Sequence, residues 1–218
     1  MSGFLNPKVD VVDHPNGHTL VVGDVATISA LDGRGAPAAA AQIASLLVDL
    51  GHICSLMGFV GDDEAGLELR QQLQQRGVSL DILAVTQWPT YTVAAETAVS
   101  ASEARGETPE QQRTLPFNGM SEYQAHLQNR LERAVRNAAM LIVADQGFGS
   151  IGDPRAAVFA AKQSRLPCLV LCAPHQTKHY GSATRVVEVA PILTAAEGAA
   201  LGRWVAAAHA QFTGLATE

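Results

Sequence analysis

Cysteine, charge and aromatic side chains are what this 218-residue chain has least of: three cysteines, 17% charged residues and 5% aromatic ones. Cys54, Cys168 and Cys172 are scattered and odd in number, which excludes a disulfide framework and fits a reducing compartment. The net charge of −6 leaves no electrostatic footprint for nucleic acid or an anionic membrane. No apolar run reaches the length of a membrane span, and the opening MSGFLNPKVDVVD lacks the charged-then-apolar order of a signal peptide. The expectation is a cytoplasmic protein with no nucleic-acid partner and no membrane insertion. Apolar residues make up 47% of the chain, enough for one domain, 1–218, with a sizeable core.

What is present is organised around residues 36–78. Ile43, Leu46, Leu47 and Leu50 fall at i, i+3, i+4 and i+7, so they share one face of a helix that Gly51 can end. Pro37 would sit in the first turn of that helix, where a missing N–H is harmless. Residues 53–60 form a near-continuous apolar run, as in a strand covered on both sides. Asp62 and Asp63 stand where the next helix starts, placed to satisfy free N–H groups. Ala65, Leu69 and Leu73 step by four along it, and Gly77 closes it.

Elsewhere the chain reads as a hairpin around Pro15-Asn16-Gly17, a core strand at 20–27, and strands at 80–86 and 90–99. A polar surface loop follows at about 100–120. Ser121 opens a helix with Tyr123, Leu127, Leu131 and Val135 on one face. Strands are expected at 140–145, 168–172 and 185–190, with a helix after Asp153-Pro154. Alternation of this kind predicts an α/β fold, a mostly parallel sheet with helices on both faces.

Three constellations invite chemistry and have plainer explanations. Cys172, His175 and His179 are zinc-type ligands, but a fourth ligand and a C-x-x-C partner are missing, so a buried thiol before a polar loop is favoured. Arg130, Arg133 and Arg136 share a helical face with Glu132 among them, which reads as a solvated face. Gly33-Arg34-Gly35-Ala36-Pro37-Ala38 fits G-x-G-x-x-A, yet five residues separate it from the preceding strand. No metal and no cofactor are expected.

Gly58 to Leu69, reading G-F-V-G-D-D-E-A-G-L-E-L, with Arg76-Gly77-Val78 beyond it, resembles the signature region of the ribokinase/PfkB sugar-kinase family. Within that family the nearest likeness is to the kinase half of the bacterial heptose-phosphate kinase/adenylyltransferases. The resemblance covers roughly residues 18–202, the front part of a family member. It implies a ribokinase-like fold lacking the C-terminal part, with a reduced β lid formed by strands at about 80–100. Val21-Val22-Gly23-Asp24-Val25 matches the opening strand, and Asp145 and Gly149 match a later strand end.

The polar positions that the resemblance assigns to ligand handling have changed. The sugar-binding Asp is replaced by Ile28, a Gly-Gly-x-x-Asn motif by Arg34-Gly35 and Ala38, and a Lys by Phe148. Near the magnesium and phosphate site, Asn and Glu positions hold Ile192 and Ala195, and aliphatic groups cannot ligate magnesium. Thr194 and Glu197 have capping-box spacing, which explains Glu197 without a ligand. The family's catalytic Gly-Ala-Gly-Asp occurs nowhere in these residues.

The resemblance therefore implies a noncatalytic, pseudokinase-like binding or structural subunit, with a protein partner that is a second copy or a larger complex. A split sugar kinase completed in trans, or a sensor of a sugar phosphate or nucleotide, are the alternatives. Asp24, Arg34, Gly35 and Asp145 are the candidates for a residual cleft. Leu201, Trp204 and Val205, with Phe212 beyond, form either a cap over the sheet's flank or an anchor for the partner.

Overall fold

A computed structural model describes residues 18–29, 35–86, 88–94 and 120–212. The expected turn at 15–17 and the polar loop up to residue 119 lie outside them, as does Arg34. The elements in chain order are β1 (His18–Ser29), β2 (Ala36–Ala39), α1 (Ala40–Asp49), β3 (Ile53–Gly61), α2 (Glu64–Gln75), β4 (Ser79–Val85) and β5 (Tyr91–Ala94). There follow α3 (Met120–Ala134), β6 (Met140–Asp145), α4 (Pro154–Gln163), β7 (Cys168–Cys172), β8 (Arg185–Glu188) and α5 (Ala195–Phe212). Short 3-10 turns follow α3 and β7.

The main sheet has the order β4-β3-β1-β6-β7-β8, and every pair along it is parallel. Strands buried on both faces carry apolar side chains at consecutive positions, and β3, β6 and β7 do so. One face is covered by α1, α2 and α5, whose Ile43, Leu47, Leu69, Leu73, Leu201 and Val205 join one core. The other is covered by α3 and α4, through Leu127, Leu131, Ala157 and Val158. This is the expected mostly parallel α/β architecture with helices on both faces.

β1 is long because it serves two sheets. Its first part pairs with β3 and β6, up to Asp24 and Gly23 respectively. From Val25 onward it pairs with β2, antiparallel, and with β5, parallel. Gly23 marks the crossing: a Cβ there would stand 1.9 Å from the Ala144 carbonyl oxygen, so only glycine lets β1 and β6 approach this closely.

Two expectations are corrected. Ala36–Ala39 is a strand, so Pro37 lies opposite Thr27 in a short edge strand and α1 starts only at Ala40. An edge position tolerates proline because one side of the strand needs no N–H donor. β4 is the parallel partner of β3 and belongs to the main sheet, because a β-α-β crossover through α2 delivers it there. Among the described residues the lid consists of the end of β1 with β2 and β5, and residues 95–100 of the expected lid lie outside them.

Asp63 and Thr194 cap the helices they precede as expected, whereas Ser121 lies inside the first turn of α3, which starts at Met120. Asp63 accepts from the Gly66 N–H at 2.8 Å, and its second oxygen accepts from the Thr90 N–H at 2.8 Å, tying the start of α2 to the approach to β5. Thr194 and Glu197 form the reciprocal capping box at the start of α5. Arg130 pairs with Asp81, which takes one of the three arginines out of the stripe.

Candidate functional site

The chain runs from β1 to β3 and β4 on one side, then returns to β6, β7 and β8 on the other. The direction of winding reverses between β1 and β6, and a ligand crevice is expected outside the carboxyl ends of strands at such a switch point. Asp24 on β1 and Asp145 at the end of β6 stand there. Both are buried.

Asp24 is wholly enclosed, and its carboxylate is consumed by the chain's own backbone. One oxygen accepts from the N–H groups of Gln146 (2.7 Å) and Phe148 (3.0 Å), the other from Ser150 (3.0 Å). The loop can present three donors to one side chain because Gly147 and Gly149 adopt φ of 81° and 101°, a region that favours glycine. Burial, reinforced by the charge of Asp145, pushes Asp24 up to about 6 against the pull of those three donors. Asp145 in turn accepts from the Gly147 N–H at 2.9 Å and from the hydroxyl of fully buried Tyr180 at 2.7 Å.

Above these acids lies an apolar cluster. Buried Ala26, Ala38, Ala39 and Val93 pack with Ile28, Tyr91, Phe148 and Ile192. The Tyr91 and Phe148 rings stack with centroids 3.6 Å apart and planes 13° from parallel. Ile192 is held there by a strap: the Gln42 side chain accepts from Leu193 N–H at 2.7 Å and donates to its carbonyl, and the Ala39 N–H donates to the Pro191 carbonyl.

No family model matches the sequence. Sequence relatives are bacterial proteins named bifunctional protein HldE. That of Actinobacillus succinogenes is 30% identical over 131 residues, covering 60% of this chain and 26% of that protein. The Hahella chejuensis protein is 25% identical over 162 residues, covering 74% and 32%. The chain thus matches about a quarter to a third of the length of these relatives. Among solved structures, a possible 1-phosphofructokinase from Thermotoga maritima superposes with TM-score 0.53 at 13% identity, covering 86% of this chain and 68% of that one. The PfkB protein from Polaromonas sp. JS666 gives 0.52 at 12% identity, with 87% and 74% covered. The fold is ribokinase-like. The chain is a homologue of part of HldE, as the glycine-rich signature implies.

Within this ribokinase-like frame, four of the positions that the resemblance expects to be polar, Ile28, Ala38, Phe148 and Ile192, meet in the single apolar cluster. Of the candidate cleft residues, Asp24 and Asp145 come together, whereas Gly35 lies across β1, its carbonyl accepting from Gln72. Among the described residues no three histidine, cysteine or acidic side chains are grouped to hold a metal. Burial pushes Cys168 up to about 12; burial, with Asp145 and Glu188, pushes Cys172 up to about 11, so neither is a ready thiolate ligand.

The helix residues offered as a partner anchor are placed differently. Leu201 and Val205 are buried in the chain's own core and Trp204 packs beside them, so α5 is a cap on the α1 side of the sheet. With their apolar surface already enclosed, Leu201 and Val205 have none to offer a partner. The side chain of Phe212 lies outside the description. Sequence reasoning missed Tyr180 and Gln42, whose partners lie 35 and 151 residues away and leave no local pattern.

Proposed function

We propose that this chain is a noncatalytic, kinase-derived binding or structural subunit, acting in the cytoplasm with a protein partner. The supporting observation is the filling of the switch-point crevice by Ile28, Ala38, Phe148 and Ile192 together with the Tyr91 ring. A sugar site needs hydrogen-bonding groups facing open space, and the three aliphatic side chains have none to offer. The one carboxylate on β1 is already saturated by backbone donors. A split kinase or a sensor using Asp24 would first have to strip that carboxylate of three hydrogen bonds.

Partner binding has room at the sheet edge. β8 is the outermost strand on its side among the described residues, and Arg185 and Glu188 are exposed on it. An unpaired edge is where another chain adds a strand. The catalytic half of the proposal is tested by incubating the purified chain with ATP, magnesium and a panel of sugars and sugar phosphates. No transfer is expected, and turnover in the range of roughly 1–100 s⁻¹ usual for kinases overturns the proposal.

A further inference from the structure

A groove of about 580 Å³ lies away from the crevice, between α4 and the 3-10 turn Pro174–His179. Arg155, Phe159 and Lys162 fall at i, i+4 and i+7 and share one face of α4, forming one wall. Lys178 and His179 stand on the other wall. Phe159 is 61% exposed, one of three large apolar side chains left open to solvent among the described residues. The ion pairs among the described residues are Arg76 with Asp49 and Arg130 with Asp81, so Arg155, Lys162 and Lys178 face the groove without a carboxylate partner. Asp153, the acidic residue at its end, is occupied as the N-cap of α4, accepting from the Arg155 N–H at 2.9 Å.

We infer that this groove docks an acidic, extended segment of the partner protein, with one apolar side chain seated on Phe159 and carboxylates on Arg155, Lys162 and Lys178. Three unpaired cations on a chain of net charge −6 make a local positive surface, complementary to an acidic partner. An exposed aromatic ring flanked by arginine is the composition of an interface anchor. A small-molecule site is disfavoured because such sites use polar groups fixed by burial, whereas these cations are all exposed. Arg155 and Lys162 are seven residues apart, about 10 Å along the helix, which matches a few residues of extended chain. The inference rests on the reading of the chain as a binding subunit and adds the chemistry of what it binds.

Fluorescence anisotropy on the full chain tests it, with a labelled twelve-residue probe of glutamate and aspartate around one central leucine. Binding that weakens about tenfold in Arg155→Glu/Lys178→Glu, and severalfold in Phe159→Ala or when the leucine is replaced by glycine, is expected. It should also weaken with added salt. No binding at low salt overturns the inference. So does equal binding of the glycine probe, which shows a polyanion surface without an anchor, or displacement by inorganic tripolyphosphate at low micromolar concentration, which shows a phosphate site. Thermal melts of the variants, expected to match the parent, separate lost docking from lost folding. Kinase turnover would overturn the noncatalytic reading while leaving this readout intact.

Discussion

The switch-point crevice and the groove beside α4 are opposites. In the first, charge is buried and saturated: Asp24 holds three backbone N–H groups, Asp145 holds Tyr180, and rings and aliphatic groups close the top. In the second, charge is exposed and unpaired, and the aromatic ring lies open to water. A residue whose hydrogen bonds all go to its own chain maintains shape, whereas a residue held in solvent without a partner can still be given one. The contrast teaches that the acids at the switch point are engaged by the chain's own groups, whereas the cations beside α4 are not, which is what the proposed binding role draws on.

The largest effect that would break this contrast is expected at Asp24. Asp24→Ala leaves three N–H groups without their acceptor in a buried site and should destabilise the chain by roughly 3 kcal/mol, a fall of about 6–12 °C in melting temperature. Arg155→Glu, on the open groove, should change stability by no more than about 0.5 kcal/mol. Calorimetry or a thermal melt of both variants checks the pair. If Asp24→Ala melted at or above the parent temperature, Asp24 would behave as a strained functional acid, and the crevice would regain its claim as a site.

Tyr180→Phe comes next. It keeps the ring in the core and removes the hydroxyl that donates to Asp145, so a loss of about 1–2 kcal/mol is expected by urea denaturation. Phe148→Ala follows, removing the stack on Tyr91 for about 1 kcal/mol and opening the top of the crevice. Sugar phosphates that stabilise Phe148→Ala against heat, but not the parent chain, would show that the ring alone blocks an otherwise intact site.

Much of the fold was legible because it depends on short-range pattern. The i, i+3, i+4 spacing of Ile43, Leu46 and Leu47 located α1, the apolar runs located β3 and β6, and Asp63 and Thr194 announced the helix starts they cap. Strand β2 was not legible, since Ala-Pro-Ala-Ala has no β-branched residue and is held extended by pairing with β1. The substitutions at 28, 38, 148 and 192 could be read one by one from the family likeness. Their assembly into a single cluster could not, because the Gln42 strap that brings Ile192 over the crevice joins residues 151 apart. The α4 groove was missed because three cations and a phenylalanine on a helix surface form no motif until the turn after β7 faces them.

The smallest expected effect is the pH dependence, and it distinguishes the two ends of β1. Asp24, pushed up to about 6 by burial and then by Asp145, is less stable charged inside the folded chain than in the unfolded one, where its ordinary value is 3.8. Its contribution therefore weakens the fold above pH 6, and that burden lifts by about 1.4 kcal/mol per unit as the pH falls from about 6 toward 4. His209, at the amino end of β1 and hydrogen-bonded to Thr19, is held below its ordinary 6.5 by burial and by His52 and His18. Here the unfolded chain takes up the proton first, so the stability His209 contributes is present above 6.5 and is lost as the pH falls below it. The two oppose each other, and the parent chain should show a shallow change in urea midpoint between pH 7 and pH 5. Asp24→Asn removes the first contribution, so its midpoint should fall more steeply with acid than the parent's, whatever its stability at pH 7. Equal slopes would mean that Asp24 takes up no proton in this range, its three N–H donors outweighing burial and the charge of Asp145.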